Sequence, residues 1–196
     1  MTIVVAVKKQ NRVVMAADTM TSRGSERMPL ENGVADKIVP AGKSLIGGAG
    51  WVIYDTILRD HLTRTGTPRL RDEAEIYRYF VRFWRTLRER YSYVNDQPTE
   101  EKQPFADLDA DFVVANEHGI FEVGPDMAVV RCERYVAIGS GARYALGALH
   151  ALWDAVHDAA ELARRACEAA IAFDVHCGGK IELKALGRPR SGRQRG

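Results

Sequence analysis

A threonine stands at position 2 and an aspartate at position 18, at either end of two apolar runs, Ile3-Val4-Val5-Ala6-Val7 and Val13-Val14-Met15-Ala16-Ala17. The polar stretch 8–12 separates the runs, which predicts a β-hairpin beginning at the start of the chain. Thr2 is small enough for methionine aminopeptidase to remove Met1 before it. A threonine freed in this way carries a hydroxyl and an α-amine on one residue. It would supply a nucleophile and a base with no second side chain.

Other chemistry-bearing residues give weaker signals. Ser140 sits between Gly139 and Gly141, but Ile138 and Ala142 occupy the outer positions that a nucleophile elbow reserves for glycine. Gly42-Lys43-Ser44 resembles the end of a phosphate loop, yet Lys37 stands where its first glycine is required, which argues against nucleotide binding. His61, His118, His150, His157 and His176 show no metal-ligand spacing. Cys132, Cys167 and Cys177 are an odd, widely spaced set without a CxxC, suited to a reducing cytosol rather than a disulfide framework.

The elements that must position Thr2 and Asp18 follow from periodicity and turn residues. After the hairpin, 19–32 reads as a polar loop with some strand character. A second hairpin is expected from 37–39 and 44–46, turning through Pro40-Ala41-Gly42. Gly47-Gly48-Ala49-Gly50 leads into a helix at 52–65, and a second helix spans 72–93. In that second helix Ile76, Phe80, Trp84, Leu87 and Tyr91 recur every three or four residues and give it one apolar face. The stretch 95–109, with two prolines and five acids, reads as an exposed loop. Strands are expected at 112–115, 120–123, 128–131 and 135–138, then a third helix at 143–156 bearing His150 and His157. Asp158 with Glu161 resembles a capping box opening a fourth helix to Phe173, and a last strand covers 180–184. Two helix pairs covering two stacked sheets is the simplest packing of this order, an α+β fold in four αββα layers.

At 196 residues the chain suits one domain, 1–184, with a sizeable core. The remainder, 185–196, carries Arg188, Arg190, Arg193 and Arg195 without an acid and reads as a solvated, disordered tail. The formal net charge of +2 therefore comes from the tail. Neither nucleic-acid nor membrane binding is expected. No apolar run approaches the roughly 20 residues of a membrane span. Lys8 and Lys9 also interrupt the apolar start too early for a signal peptide, so a cytoplasmic protein is expected.

Taken in order, several stretches resemble the proteasome β-subunit superfamily of N-terminal-nucleophile hydrolases, in particular the bacterial HslV-type peptidase and the bacterial proteasome homologue. They are 2–7, 13–18, Asp36-Lys37-Ile38, Gly47-Gly48-Ala49-Gly50, and Ala137-Ile138-Gly139-Ser140-Gly141 with Tyr144-Ala145. The resemblance implies a four-layer αββα sandwich and a threonine endopeptidase whose nucleophile is Thr2. It implies that Lys37 depresses the pKa of the Thr2 amine and that Asp18 holds Lys37. It matches Ser140 and Asp174, with Cys177, to the residues that orient the amine and hydroxyl. The N–H of Gly50 becomes the oxyanion donor, and Ser22, Gly48 and Trp51 fall at substrate-binding positions. No cofactor is required for the chemistry, although backbone carbonyls of Phe173, His176 and Gly179 match positions that hold a monovalent cation such as Na+. Implied partners are further copies in stacked hexameric or heptameric rings, an AAA+ unfoldase, and unfolded protein or peptide substrates.

The pattern has departures. Cys177 closes Asp174-Val175-His176-Cys177 where many relatives have serine, a stronger hydrogen-bonding side chain. Ser22 replaces a threonine, and Trp51 replaces a small residue, which is expected to reshape the side-chain pocket. The apolar faces 76–91 and 146–153 offer surface for subunit contacts. Two rival classes remain: an amide hydrolase for small molecules on the same fold, and a non-catalytic ring subunit.

Overall fold

The opening hairpin forms from β1 (Val4–Lys9) and β2 (Arg12–Asp18). Gln10 and Asn11 close it with φ of 51° and 58°, the two-residue turn whose twist matches that of the strands it joins. The computed structural model describes residues 2–23, 26–28, 36–91 and 108–186. Met1, most of the acidic stretch 95–109 and the tail from 187 onward lie outside the described residues, as do parts of the 19–32 loop.

Four further strands flank or follow the hairpin: β3 (Ser22–Arg23), β4 (Glu26–Arg27), β5 (Ile38–Ala41) and β6 (Ser44–Gly50). Helices α1 (Val52–Thr65) and α2 (Glu73–Arg90) come next. The second half brings β7 (Ala110–Asn116), β8 (Gly119–Val123), β9 (Val129–Cys132) and β10 (Tyr135–Ile138). It ends with α3 (Ala142–Leu152), α4 (Ala159–Phe173) and β11 (Ile181–Leu186). One sheet has the order β10-β1-β2-β11 and the other β5-β6-β7-β8-β9, both antiparallel throughout, while β3 and β4 pair separately.

Alternation along β1 and β2 builds the layers. Ile3, Val5, Val7, Val14 and Ala16 pack under α3 and α4, whereas Val4, Ala6, Val13, Met15 and Ala17 meet Ile38, Leu45, Val113 and Ile120 of the second sheet. The second sheet turns Ile46, Phe112, Val114 and Phe121 toward α1 and α2. The expected αββα sandwich is therefore the observed one.

Local differences have local causes. Pro40 and Ala41 belong to β5, and Gly42 and Lys43 make the turn instead. The strand lies at the sheet edge, where a residue without an N–H is tolerated. The glycine run 47–50 leads into α1 as expected, and it is itself strand, continuing β6 opposite 110–113 of β7. α2 begins after Asp72, whose Oδ1 accepts the Glu75 N–H at 2.8 Å, and is capped at Tyr91. α3 ends at Leu152, so His157 lies beyond it in the connection to α4. Asp158 Oδ1 accepts the N–H groups of Ala160 and Glu161, both at 2.9 Å, which fixes the start of α4. β11 runs past residue 184, with Ala185 and Leu186 paired to Val14 and Val13.

The apolar face of α2 is core rather than a subunit contact. Ile76, Phe80 and Leu87 are buried, and so are Tyr79 and Phe83, which the periodicity did not single out. Phe80 and Phe83 pack edge-on to each other, and both rings pack against Phe112. Exposed apolar side chains include Tyr77 on α2, Trp51, Val52 and Ile53 at the start of α1, Val130 on β9, and Tyr144, Leu146, Phe173 and Val175 around the ends of α3 and α4.

Candidate active site

Thr2 lies one residue before Ile3 and β1, at the end of the first sheet, and is only 4% exposed. Its carbonyl faces the turn after β10, where the Gly141 N–H (3.4 Å) and the Ser140 hydroxyl (3.5 Å) point at it. Gly139, at φ 95°, makes that approach possible. A Cβ on it would lie 2.2 Å from the Thr2 carbonyl oxygen, so no other residue fits without moving Thr2.

Asp18 ends β2 in the middle of the sheet and is 0% exposed. Its Oδ1 accepts three hydrogen bonds, from Thr2 Oγ1 at 2.5 Å, Lys37 Nζ at 2.7 Å and the Ile3 N–H at 3.1 Å. Its Oδ2 accepts the Gly178 N–H at 3.0 Å. Lys37, just before β5 and 6% exposed, reaches Thr2 Oγ1 at 2.6 Å. The hydroxyl therefore gives its proton to a carboxylate while receiving a hydrogen bond from an ammonium. Such a buried ion pair is tolerated only when the remaining lone pairs are satisfied, and the two backbone N–H donors meet that need here. An ammonium at hydrogen-bond distance also favours negative charge on the threonine oxygen.

Asp174 caps α4, its N–H donating to the Ala170 carbonyl at 2.8 Å. Burial alone would raise its carboxyl. The His176 N–H, the Ser140 hydroxyl and the Cys177 thiol together hold it below the usual carboxylate range. Cys177 Sγ stands 3.5 Å from Asp174 Oδ2. Burial, with the charges of Asp18 and Asp174, pushes the Cys177 thiol up to about 12, so it stays a neutral donor rather than a thiolate nucleophile.

The remaining residues named from the sequence are more dispersed. Gly50 ends β6 opposite Ala110, and a Cβ on it would meet the Asp109 carbonyl at 3.0 Å. Gly48 lies two residues earlier on the same face of the strand. Ser22 is in β3, half-buried and paired with Arg27. Trp51 precedes α1 and is 67% exposed, and its indole N–H donates to Asp109 Oδ2 at 2.9 Å, so the ring stands at the surface beside Gly50. Phe173 ends α4, and His176 and Gly179 follow in the connection to β11, where the Val175 carbonyl accepts a hydrogen bond from the Arg27 guanidinium at 2.7 Å. Among the described residues no group of three or more His, Cys, Asp or Glu side chains could hold a metal ion.

Sequence reasoning missed one titratable residue here. Asp55, in the first turn of α1, is largely enclosed, and burial pushes its carboxyl up to about 6 against the pull of Arg59 and Lys37. Nothing in the sequence marks it, because its surroundings come from the packing of α1 against β6 and β7: Asp55 Oδ1 sits 3.0 Å from the place a Cβ on Gly48 would take, beside Phe112.

Known proteins similar to this chain include HslV and proteasome subunits. Residues 108–186 match the family model described as "Proteasome subunit". The chain is 29% identical to "ATP-dependent protease subunit HslV" of Hyphomonas neptunium over 188 residues, 94% of this chain and 92% of that protein. It is 26% identical to "Proteasome subunit beta" of Nanoarchaeum equitans over 192 residues, 95% of this chain and 93% of that one. Among solved structures, Thiobacillus denitrificans BPH superposes with a TM-score of 0.85 at 28% identity, covering 95% of this chain and 100% of its own. The same protein has been solved in complex with epoxomicin.

Proposed function

We infer that this chain, a relative of HslV and of proteasome β subunits, is a threonine endopeptidase acting through Thr2 once Met1 has been removed. The observation that carries the reading is the buried contact of Thr2 Oγ1 with Lys37 Nζ at 2.6 Å and Asp18 Oδ1 at 2.5 Å. In the reaction, the freed α-amine takes the proton of the Thr2 hydroxyl, directly or through water, as Oγ1 attacks the scissile carbonyl. Lys37 stabilises the oxygen as it gains charge, and Asp18 holds Lys37 in place. The N–H of Gly50 donates to the oxyanion of the tetrahedral intermediate. The α-amine then returns its proton to the leaving amine, and water hydrolyses the ester on Thr2. Ser140 and Asp174, with Cys177, brace the turn against the amine. A monovalent cation such as Na+ on the carbonyls of Phe173, His176 and Gly179 would stiffen that turn. No step runs through it.

The assembly we propose is a double ring of six or seven subunits per ring in the cytoplasm. Substrates are unfolded polypeptides, delivered by an AAA+ unfoldase or entering unaided. The exposed apolar residues Tyr144, Leu146, Phe173 and Val175 support subunit contacts at the α3–α4 end. Among the described residues no helix is long and apolar enough to cross a membrane.

Epoxomicin is the natural probe, given the BPH complex. Intact mass should show loss of Met1, one inhibitor per active subunit, and no adduct in Thr2→Ala. Peptide cleavage persisting in Thr2→Ala, or Met1 retained in active protein, would overturn the mechanism. Cleavage of simple amides but not peptides would favour a small-molecule hydrolase, and absence of labelling would favour a non-catalytic subunit. Mass photometry should give twelve or fourteen copies, and a monomer at micromolar concentration would defeat the ring.

A further inference from the structure

Arg78, Arg82 and Arg85 recur on α2 at spacings of four and three, so their exposed side chains share one face of the helix. Like charges at these spacings repel and cost a helix stability. Among the described residues none of the three guanidinium groups makes an ion pair or a hydrogen bond. Two acids share the face. Glu75 is already held by Arg71, whose Nη2 lies 2.6 Å from its Oε1, and Glu89 stands in the last turn.

A solvated stripe of charge needs no wall opposite it, and this one has a wall. α1 ends at Thr65, and the connection 65–69 borders α2 so that Arg69 joins the three arginines around a groove of about 640 Å³. That volume falls within the roughly 300–1,000 Å³ of small-molecule sites. His61 of α1 and Tyr79 of α2 also line the groove, 3% and 2% exposed, with rings packed edge-on and centroids 5.6 Å apart. The Tyr79 hydroxyl is buried without a hydrogen-bond partner among the described residues, an arrangement that costs free energy until a partner arrives. Burial pushes the phenol well above its ordinary range, against the pull of Arg82, so the hydroxyl keeps its proton and can donate it.

The lining thus gathers donors and positive charge in excess of what its own acids offset. A guanidinium fork matches the oxygens of a phosphate. One carboxylate would offset one of these charges, whereas linked phosphates bring several negative charges and acceptor oxygens into one small ligand. We propose that the groove between α1 and α2 binds a small polyphosphate, a chain of two or three phosphate groups either free or carried by a nucleotide, with Arg82 and the Tyr79 hydroxyl among its donors. The groove shares no residue with the site around Thr2, so the proposal stands apart from the peptidase reading.

The test is isothermal titration calorimetry of the full-length protein, as purified, with pyrophosphate, tripolyphosphate and ATP at physiological ionic strength. One saturable site per subunit is expected. Arg82→Gln and Tyr79→Phe should each weaken tripolyphosphate about tenfold, the scale of a hydrogen bond to a charged group, whereas Arg143→Gln, an exposed arginine on α3, should leave the affinity unchanged. ATP bound more tightly than tripolyphosphate would sustain the site as a nucleotide site, and equal affinities would sustain it as a site for the phosphate chain alone. A ligand-induced rise in melting temperature that Arg82→Gln removes reads the same site by linkage. Absence of saturable binding, an Arg82→Gln or Tyr79→Phe protein that binds like the parent, or an equal loss in Arg143→Gln would overturn the proposal. So would saturable binding of an oligoglutamate peptide without binding of any phosphate, which would make the groove a docking face for acidic protein segments. Epoxomicin labelling should be the same in all three variants, so the outcome here and the outcome for the peptidase are read separately.

Discussion

Replacing Lys37 by methionine separates holding the site from operating it. Methionine keeps the length of the stem but removes the ammonium that donates to Asp18 Oδ1 at 2.7 Å and to Thr2 Oγ1 at 2.6 Å. Asp18, 0% exposed, would keep the Thr2 hydroxyl and the N–H groups of Ile3 and Gly178 as donors but would lose its counter-charge. Breaking a buried pair by removing one partner costs about 3–5 kcal/mol, a large part of the about 5–15 kcal/mol by which a domain is stable. With a urea slope of about 2 kcal/mol per M, the unfolding midpoint should fall by about 2 M. Asp18→Asn in the Lys37→Met background removes the orphaned charge. The double variant should therefore be less damaged than the sum of the singles, by about 0.5–3 kcal/mol. Urea unfolding followed by circular dichroism, at one subunit concentration so that assembly contributes equally, gives all four corners of the cycle. Epoxomicin labelling should be lost in every variant, including the one whose stability recovers. A Lys37→Met protein within about 1 kcal/mol of the parent, or singles that simply add, would refute the idea that this pair holds Thr2.

Three further outcomes are expected. Gly139→Ala should destabilise the fold by more than about 1–3 kcal/mol, the usual scale of backbone strain, because its Cβ collides with the Thr2 carbonyl at 2.2 Å; an active variant of parental melting temperature would contradict this. Cys177, with its thiol pushed up to about 12 and only 2% exposed, should resist iodoacetamide at pH 8 until the protein is denatured; Cys177→Ser should keep or raise activity, whereas Asp174→Asn should lower it strongly. Removing the cap of α4 with Asp158→Ala should cost about 1 kcal/mol in a urea titration without altering epoxomicin labelling.

Much of the site was legible because its signals are local. The two apolar runs fix the hairpin, and with it the pairing of Val4 to Ala17 that brings Asp18 to Thr2. The four helices were readable from caps such as Asp72 and Asp158 and from the spacing on α2. What escaped depends on the third dimension. The α2 stripe looked available for subunit contact because a periodic apolar face reads the same whether a sheet or another subunit covers it, and here the sheet does. Asp55 looked like an ordinary first-turn acid because only the packing of α1 against β6 and β7 sets its carboxylate beside Gly48 and Phe112. The direction of the Trp51 ring was not legible either, because it is set by Asp109, 58 residues away.

The strand order of the first sheet has a consequence for when the proposed site is assembled. β1 is flanked by β10, and β2 by β11, so Val4 lies against Ile138 and Asp18 against Ile181. The Asp18 carboxylate also waits for the N–H of Gly178, and the Thr2 carbonyl for the turn at 139–141. Two residues of the first hairpin are thus completed by residues more than a hundred positions further along the chain. Contacts of such high sequence separation form late in folding, so a half-made chain holds a hydroxyl with no lysine–aspartate pair fixed around it. On the peptidase reading proposed above, an incomplete chain is silent by topology, and Thr2 gains its partners only once β10, β11 and the turns beside them have closed around it.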